Sequence, residues 1–445
     1  MVSLCLVTSA LEPPPTISTQ GAELSTYATW DMDWMAGRAL AASSSHAPPL
    51  QLRVIDMAKH LIPITKAAEA TGIRVINNNH QDENDWDILW SFRTAWDNRI
   101  LKERAKRIRQ RPSTLVNHLP GTLRLASKAH LPLFAKEAGL SNATPASYLL
   151  PEQIDQLLAH LRSDSLTDSA GLPRWLLKSK QHRNVRVLTN ATRAGLSKTG
   201  SAIAQRRVRP LLLKGLGRAF DVGIYVLVAS VRPLRIYAFD RSLVRICEQP
   251  FPTSYDEFVA RPASFVINHY SPIWTLPFFA DALKECEKSA ACALRHKLKE
   301  QGHDADGMWR RMEGIAAELL AFLRPHVESG LLRVGLRGQH TFELFRFDFM
   351  VDEEARPMLT EVNISPNMVQ AHAEDGQVKS ALLRDLFRIL SARLRLQQEP
   401  PPPAPRSFPM NLWPAAPSPR VSAAEAERKV AGGWRRVTSC RVCNE

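Results

Sequence analysis

Long apolar runs are absent from this 445-residue chain, and no stretch is long enough to cross a membrane as a helix. Cysteines are few, six in all, and scattered, so the sequence predicts no disulfide scaffold and favours a reducing compartment. The first ten residues lack the basic n-region of a secretory signal. Hydrophobic residues still make up 44% of the chain, which predicts a globular protein with a substantial core.

Acidic residues are outnumbered by basic ones, 44 Asp and Glu against 58 Lys and Arg, which leaves a net charge of +14. This balance favours an acidic partner but does not distinguish nucleic acid, an anionic membrane and an acidic protein tail. The basic run at 102–111 is typical of a solvated helix face. No base-reading module is recognisable, because the aromatic residues cluster on strands that need them for packing. We therefore expect neither a nucleic-acid nor a membrane partner.

The two ends of the chain differ in composition from its middle. Residues 1–49 are rich in Ser, Thr, Ala and Pro without periodicity, which predicts a disordered lead. Residues 397–445 are rich in Pro, Ala and Ser and predict a disordered tail. A single pair, Cys440 and Cys443, lies near the end of this tail and is too small a ligand set for a zinc site.

Between these ends, hydrophobic patterning predicts alternating strands and helices, which is an α/β chain. The predicted strands are 52–55, 73–76, 86–90, 175–178, 203–208, 220–231, 234–239 and 243–246. The predicted helices are 57–70, 101–111, 151–161, 279–300 and 308–327. A turn at 232–233 makes a hairpin of the two strands that flank it.

The candidate chemistry lies on two neighbouring strands near residue 350. In the stretch 342–351, alternation puts three phenylalanines on one face and Asp348 on the other. After a polar turn, Glu361 and Asn363 are two residues apart and so face the same way. Their oxygens suit Mg²⁺, which binds a few protein oxygens together with nucleotide phosphates. From these residues alone, a hairpin with a solvated polar face is the favoured interpretation, because Asp and Glu commonly occupy exposed strand positions.

These two strands also resemble a known family. The residues 343–350, ELFRFDFM, followed by 361–367, EVNISPN, resemble the metal-binding end of tubulin–tyrosine-ligase-like proteins. Further segments resemble that family in the same order, namely 86–90, 116–121, 175–178, 220–228 and 234–237. The similarity runs from about residue 50 to 396.

The resemblance implies an ATP-grasp fold, an α/β (α+β) architecture with three lobes and ATP between the last two. The lobes are an N-terminal one at 50–125, a central one at 126–207 and a C-terminal one at 208–396. It also implies a ligase in which ATP phosphorylates a carboxylate and the amine of an amino acid, glutamate first among them, displaces the phosphate. The expected partner is tubulin or the microtubule, whose acidic C-terminal tails suit a basic protein.

The same resemblance implies roles for individual residues. Magnesium would be held by Asp348, Glu361 and Asn363. ATP would be contacted by Lys178, Gln205, Val208, Asp348 and Asn363. Asp221 and Arg245 would complete the catalytic lining. The implied location is the cytoplasm and its cytoskeleton, including the cilium.

Several positions depart from the family pattern. The family's Lys-Phe-Asp-x-Arg is Ala219-Phe-Asp-Val-Gly223 here, so both basic side chains that would meet ATP are missing. Lys214 or Arg218 is a candidate substitute for the missing lysine. The segment 179–185 lacks the expected glycine-rich phosphate loop, and 266–270 follows the family only loosely. These departures support an alternative, a catalytically weak or inactive relative that binds tubulin.

Overall fold

The protein is described here by a computed structural model. It describes residues 48–55, 61–76, 86–92, 108, 113–179, 185–189, 191–265, 270–370, 372–398 and 423–437. Within these ranges, no helix combines the length and the apolar character needed to span a bilayer. The lead at 1–49 lies outside the described residues except for its last two, and the basic run at 102–111 lies outside them except for Ile108.

The described elements alternate between strand and helix through most of the chain. The strands are β1 Gln51–Ile55, β2 Arg74–Ile76, β3 Ile88–Ser91, β4 Leu115–Asn117, β5 Ser147–Leu150, β6 Trp175–Ser179, β7 Val185–Val187, β8 Ala202–Arg206, β9 Phe220–Val231, β10 Leu234–Phe239, β11 Leu243–Cys247, β12 Tyr270–Ser271, β13 Thr341–Val351, β14 Pro357–Asn363 and β15 Trp434–Arg436. The helices are α1 Ile62–Glu69, α2 Leu123–Ala126, α3 Leu131–Glu137, α4 Ile154–Leu161, α5 Arg193–Ser197, α6 Tyr255–Ala260, α7 Ala280–Glu285, α8 Ala290–Glu300, α9 Ala305–Leu332, α10 Ala373–Gln398 and α11 Ala423–Lys429. The predicted α/β class is confirmed.

One large sheet joins the N-terminal and C-terminal parts of the chain. Its main path runs β12-β11-β9-β13-β4-β3-β1-β2, while β14 pairs with β13, β10 with β9, and β15 with β10. The strands β1 to β4 are parallel to one another, and β9 to β14 pair antiparallel. β13 connects the two regions, because its first two residues pair parallel with β4 and the rest pairs antiparallel with β9 and β14.

A second, smaller sheet has the order β5-β8-β6-β7 and is antiparallel throughout its described pairs. It has its own apolar cluster, centred on the fully buried Trp175 and closed by α4 and α5. The preceding helix α3 packs instead into the core of the large sheet through Leu131 and Phe134. The small sheet therefore accounts for most, but not all, of the stretch 126–207.

Alternation along β13 sends its side chains to the two faces of the large sheet. Phe345, Phe347 and Phe349 lie in the core shared with α8 and α9, as their spacing predicts. Phe342 and Leu344 face the opposite core, which contains α1 and α10. Since both faces of β13 are covered, a polar residue on it is buried and needs a partner.

The predicted helix at 279–300 is interrupted. Residues 286–289 break it into α7 and α8, because Glu287 and Lys288 take positive φ angles of 48° and 63°. A disulfide between Cys286 and Cys292 closes this corner. The sequence predicted no disulfide scaffold, and this single local bond was not foreseen. The two cysteines are six positions apart in the sequence, a spacing that does not by itself indicate a disulfide.

The predicted disordered tail is wrong for residues 423–437. There α11 packs against α10, and β15 extends the large sheet at the edge of β10. Trp434 is 3% exposed and Glu427 is fully buried. The composition that predicted disorder belongs mainly to the preceding residues, which, like the Cys440 and Cys443 pair, lie outside the described part of the chain.

Candidate functional site

Strand register brings the predicted polar residues onto one face of the large sheet. Asp348 of β13 pairs with Gly223 of β9 on one side and with Glu361 of β14 on the other. Two residues earlier, Arg346 pairs with Asn363. Residues paired across neighbouring strands point to the same face, so these five positions form one surface. The face is the one opposite the phenylalanines of β13.

The hairpin of β13 and β14 is shaped by two local features. The carboxylate of Asp352 accepts hydrogen bonds from the backbone N–H groups of Glu354 and Arg356, which fixes the turn. In β14 a bulge follows, because Asp348 pairs with Glu361 while Phe349 pairs with Leu359. The bulged residue, Thr360, donates its hydroxyl to the backbone oxygen of Asp348 at 3.0 Å.

Asp348 is completely buried, and both of its oxygens are engaged. Arg346 donates from Nε to Oδ1 at 2.6 Å and from Nη2 to Oδ2 at 2.8 Å. Oδ2 also accepts from Nη2 of Arg245 and from Nδ2 of Asn363, both at 3.1 Å. Two guanidinium groups therefore neutralise this one carboxylate.

Asp221 and Arg245 form a second ion pair on the same face, since their positions are paired between β9 and β11. Nε of Arg245 donates to Oδ1 of Asp221 at 2.8 Å, and Nη2 donates to Oδ2 at 2.5 Å. Burial raises the pKa of Asp221 to about 6, although Arg245 opposes the shift. For Arg245, burial lowers the pKa, but Asp221 and Asp348 outweigh it and raise the pKa. Arg245 thus stays charged and bridges the two carboxylates.

Lysines from two other parts of the chain approach Glu361. Nζ of Lys128, from the loop after α2, lies 3.6 Å from Oε1 of Glu361, and both side chains are 28% exposed. Lys178 at the end of β6 is electrostatically coupled to both residues. Burial, reinforced by the charge of Lys128, lowers the pKa of Lys178 to about 8, and Glu361 opposes this shift. The small sheet therefore contributes a cation to the face of the large sheet.

Lys178 is held by a chain of side chains across the small sheet. Its Nζ donates to Oε1 of Gln205 at 2.5 Å, and Nε2 of Gln205 donates to Oγ of Ser147 at 2.9 Å. Gln205 is buried, whereas Val208, beyond the end of β8, is half-buried. Lys178 and Gln205 are thus in direct contact.

The oxygen donors of this face can be compared with the needs of a magnesium ion. Among the residues that the structure describes, no group of three His, Cys, Asp or Glu side chains is arranged to hold a metal. The available set is two carboxylates and one amide, from Asp348, Glu361 and Asn363. Glu361 is partly exposed, and Asn363 uses its nitrogen toward Asp348, which leaves the amide oxygen as a donor. The set fits Mg²⁺ in donor type, because this ion keeps several waters and takes one or two carboxylates alongside phosphates.

The two candidate substitutes for the missing lysine have other recorded contacts. Lys214 is exposed, and its backbone N–H bonds Gln301. Arg218 donates to Oγ of Ser271 at 3.3 Å, on the β12 side of the sheet. The loop at 180–184 and residues 266–269 lie outside the described part of the chain.

The sequence interpretation missed two cations of this face, Arg346 and Lys128. The position of Arg346 could have been predicted from the strand pattern, because Arg346 precedes Asp348 by two residues and so lies on the same face of the strand. Lys128 gave no such signal, since it lies in a loop and reaches Glu361 only through the fold.

Comparison with known proteins identifies the family. The family model described as "Tubulin-tyrosine ligase family" matches residues 106–399, about two thirds of the chain. This chain belongs to the tubulin–tyrosine ligase family. The predicted family is thereby confirmed, and membership agrees with the ATP-grasp fold that the resemblance implied.

Individual relatives cover most of the described core. The "Probable tubulin polyglutamylase ttll-15" of Caenorhabditis elegans is 29% identical over 347 residues, covering 76% of this chain and 63% of that protein. The human "Tubulin monoglutamylase TTLL4" is 26% identical over 307 residues, covering 66% of this chain and 25% of that protein. The "Probable alpha-tubulin polyglutamylase Ttll1" of Tetrahymena thermophila is 24% identical over 343 residues, covering 70% and 79%. The chain thus spans less than two thirds of the length of the first two relatives.

Proposed function

We propose that this protein is an ATP-dependent ligase that adds glutamate to tubulin. The observation that carries the proposal is the convergence of Asp348, Glu361, Asn363, Lys178 and Arg245 on one face between the two sheets. Membership of the tubulin–tyrosine ligase family and relatives with glutamylase names support the substrate and the amino acid. The net charge of +14 supports an acidic partner such as a tubulin tail.

The proposed reaction has two steps. A tubulin carboxylate attacks the γ-phosphorus of ATP, so that ADP leaves and an acyl-phosphate forms. The amine of glutamate then attacks the acyl carbon, phosphate leaves with the electron pair of the C–O bond, the nitrogen releases a proton to solvent, and an amide bond forms. Such reactions depend mainly on positioning and on neutralising charge.

The residues of the face would divide this work. Glu361, Asn363 and Asp348 would hold a magnesium ion, which offsets charge on the phosphates when bound. Lys178 would lie over the phosphates, and its contact with Gln205 would orient it. Arg245 would be held in place by Asp221 and remain charged throughout.

Other parts of the proposal concern binding and location. Gln205 and Val208 would form the hinge against the adenine, because Gln205, near the end of β8, contacts Lys178, and Val208 lies two residues beyond that strand. The protein would act in the cytoplasm on the cytoskeleton, including the cilium, without nucleic-acid or membrane partners. The division into lobes at 50–125, 126–207 and 208–396 is part of the same proposal.

A second candidate, a weak or inactive tubulin-binding relative, is supported by one observation. Asp348 is already saturated by Arg346, Arg245 and Asn363, so metal binding there competes with ion pairs. This candidate differs from the ligase in predicting microtubule binding without incorporation of amino acid.

The test combines purified chain, tubulin, Mg²⁺, ATP and radiolabelled glutamate, with label measured on the tubulin tails. Glu361→Gln keeps the size of the side chain and should abolish labelling. Glu354→Gln is the matched control, because Glu354 lies in the turn of the same hairpin and is exposed; it should label normally. Microtubule co-sedimentation without labelling, also with other amino acids, would instead establish the binding protein.

A further inference from the structure

Gly223 is a glycine for reasons of space. Its φ angle is not in the left-handed region, so no special backbone conformation requires it. A Cβ at this position would lie 2.9 Å from Oδ1 of Asp348, 3.0 Å from Cδ of Arg346 and 3.3 Å from Cγ of Arg346. These separations are shorter than ordinary carbon contacts. The aliphatic part of Arg346 therefore occupies the volume that a side chain at 223 would need.

Because this volume is free, the guanidinium group of Arg346 lies at the centre of the site, next to Asp348. The side chain extends from β13 over Gly223 of β9, and the guanidinium group donates hydrogen bonds to both carboxylate oxygens of Asp348. Its side chain is 11% exposed. The group carries a positive charge, because a guanidinium keeps its proton throughout the physiological pH range. Nη1 makes no hydrogen bond to the described residues, which leaves its two N–H groups as donors for a ligand.

Arg346 also decides the charge of the site. The cluster contains four cations, Lys128, Lys178, Arg245 and Arg346, and three carboxylates, Asp221, Asp348 and Glu361. Its formal charge is +1 with Arg346 and zero without it. A buried hydroxyl, Oη of Tyr225, lies beside Arg346 in register and has no hydrogen-bond partner among the described residues. A cationic surface with unused donors suits a phosphate group.

We propose that Arg346 is the phosphate-directed arginine of this protein, supplied from β13 in place of the basic residue that position 223 lacks. The two residues then depend on each other, because the absence of a side chain at Gly223 leaves the space that the side chain of Arg346 occupies. The inference rests on the proposed use of ATP. It concerns the position of the missing arginine alone, and the expectation that Lys214 or Arg218 replaces the missing lysine stays a separate prediction.

The decisive test transfers the arginine from position 346 on β13 to position 223 on β9. The variants are Arg346→Gly, Gly223→Ala, Gly223→Arg, the double variant Gly223→Arg with Arg346→Gly, and a charge-free control, Gly223→Ala with Arg346→Gly. Magnesium-ATP affinity is measured by isothermal titration calorimetry, the ATP-induced rise in Tm by scanning calorimetry, and labelling of tubulin by the glutamate assay. The affinity and Tm measurements do not depend on turnover.

Arg346→Gly should weaken magnesium-ATP binding by about tenfold to a hundredfold, the loss expected for a charge-assisted hydrogen bond. Labelling should fall by roughly 10³-fold if the arginine also stabilises the transferring phosphoryl group. The Gly223→Arg and Arg346→Gly double variant should recover affinity to within about threefold, since two of the three close contacts at 223 come from Arg346. Without ligand, the charge-free control should have a Tm similar to that of Arg346→Gly. It should also bind magnesium-ATP as weakly as Arg346→Gly does.

The possible failures are distinguishable. If the unsubstituted chain binds no magnesium-ATP, the proposed function falls and the role of Arg346 falls with it. If the unsubstituted chain binds and Arg346→Gly binds equally well, only the role of Arg346 is overturned. If Gly223→Ala lowers Tm equally with and without Arg346, the space argument is wrong. Where Arg346→Gly fails to fold, Arg346→Lys serves instead, and undiminished affinity and labelling would overturn the need for a forked guanidinium.

Discussion

Glu427 and Arg235 form a buried ion pair between elements 192 positions apart in the chain. Nε and Nη2 of Arg235 donate to the two carboxylate oxygens at 2.9 and 2.8 Å, and the hydroxyl of Tyr237 adds a bond of 2.7 Å. The side chain of Glu427 has no exposed surface. Because Glu427 belongs to α11 and both donors belong to β10, this pair anchors the segment 423–437 to the large sheet.

We expect Glu427→Gln to lower the free energy of unfolding by about 3 to 5 kcal/mol, because it leaves the charge of Arg235 buried without a counter-ion. Guanidinium chloride denaturation measures this. Glu425→Gln is the matched control on the same helix, where the carboxylate is 42% exposed, and it should change stability by less than about 0.5 kcal/mol. Equal effects of the two substitutions would contradict the anchoring role of Glu427.

Lys178 should give opposite pH profiles for stability and for ligand binding. Its folded pKa of about 8 lies below the value of 10.5 for a free lysine, so the folded chain binds fewer protons between these values. The free energy of unfolding should therefore rise with pH in this window, by at most about 3 kcal/mol. Magnesium-ATP affinity should instead fall as pH rises above about 8, because Lys178 loses its charge.

The measurement compares the unsubstituted chain with Lys178→Arg across this pH window. Arginine keeps its charge, so its affinity profile should be flatter. Parallel declines in affinity for the two proteins would show that a group other than Lys178 is responsible.

His118 and Glu343 should make stability fall with rising pH. Their side chains meet at 2.8 Å in the core, where the backbone N–H of Leu119 also donates to Glu343. Burial lowers the pKa of His118, but Glu343 outweighs it and raises the pKa overall, while burial raises the pKa of Glu343. Both folded groups hold protons more tightly than unfolded ones. The contribution of His118 is present below its unfolded pKa of 6.5 and is lost as pH rises through the raised pKa, and the contribution of Glu343 is lost in the same direction from its unfolded pKa of 4.5 upward.

Denaturation of the unsubstituted chain and of Glu343→Gln on both sides of the raised His118 pKa checks this expectation. The substitution removes the partner that raises the pKa, so the pH dependence above about 6.5 should shrink. An unchanged slope in Glu343→Gln would assign the pH dependence to other groups.

The disulfide between Cys286 and Cys292 should stabilise the corner between α7 and α8. Closing so short a loop contributes about 2 kcal/mol in the chain-entropy account. Reductant should lower the free energy of unfolding by this amount in the unsubstituted chain, and it should have no effect when both cysteines are serine. Mass spectrometry after alkylation of the native protein reports the bond directly, and full alkylation of both cysteines without reductant would refute it.

Local pattern was enough to predict much of the fold and part of the site. Both ends of the strand 220–231 were predicted correctly, because a mainly apolar run that ends at a turn is typical of a buried strand. Alternation placed Asp348 opposite the phenylalanines of β13, and the same rule pairs Glu361 with Asn363. These inferences need only a strand's period of two.

The remaining features depend on contacts that local pattern does not encode. Lys128 meets Glu361 across a distance of more than two hundred residues, so its loop gave no clue. Glu427 resides in a segment whose surroundings have the composition of a disordered chain, and its burial depends on Arg235. The positive φ of Glu287 that interrupts the predicted helix is likewise invisible in a residue type that favours helices.

The double pairing of β13 has a consequence for how the protein is made on the ribosome. The parallel strands β1 to β4 emerge early, but the edge of β4 is completed only by Thr341 and Phe342, more than two hundred residues later. Until then the N-terminal strands present an open edge in a chain still under synthesis. We expect this edge to recruit chaperones during translation, and the fold to close only after β13 has left the exit tunnel.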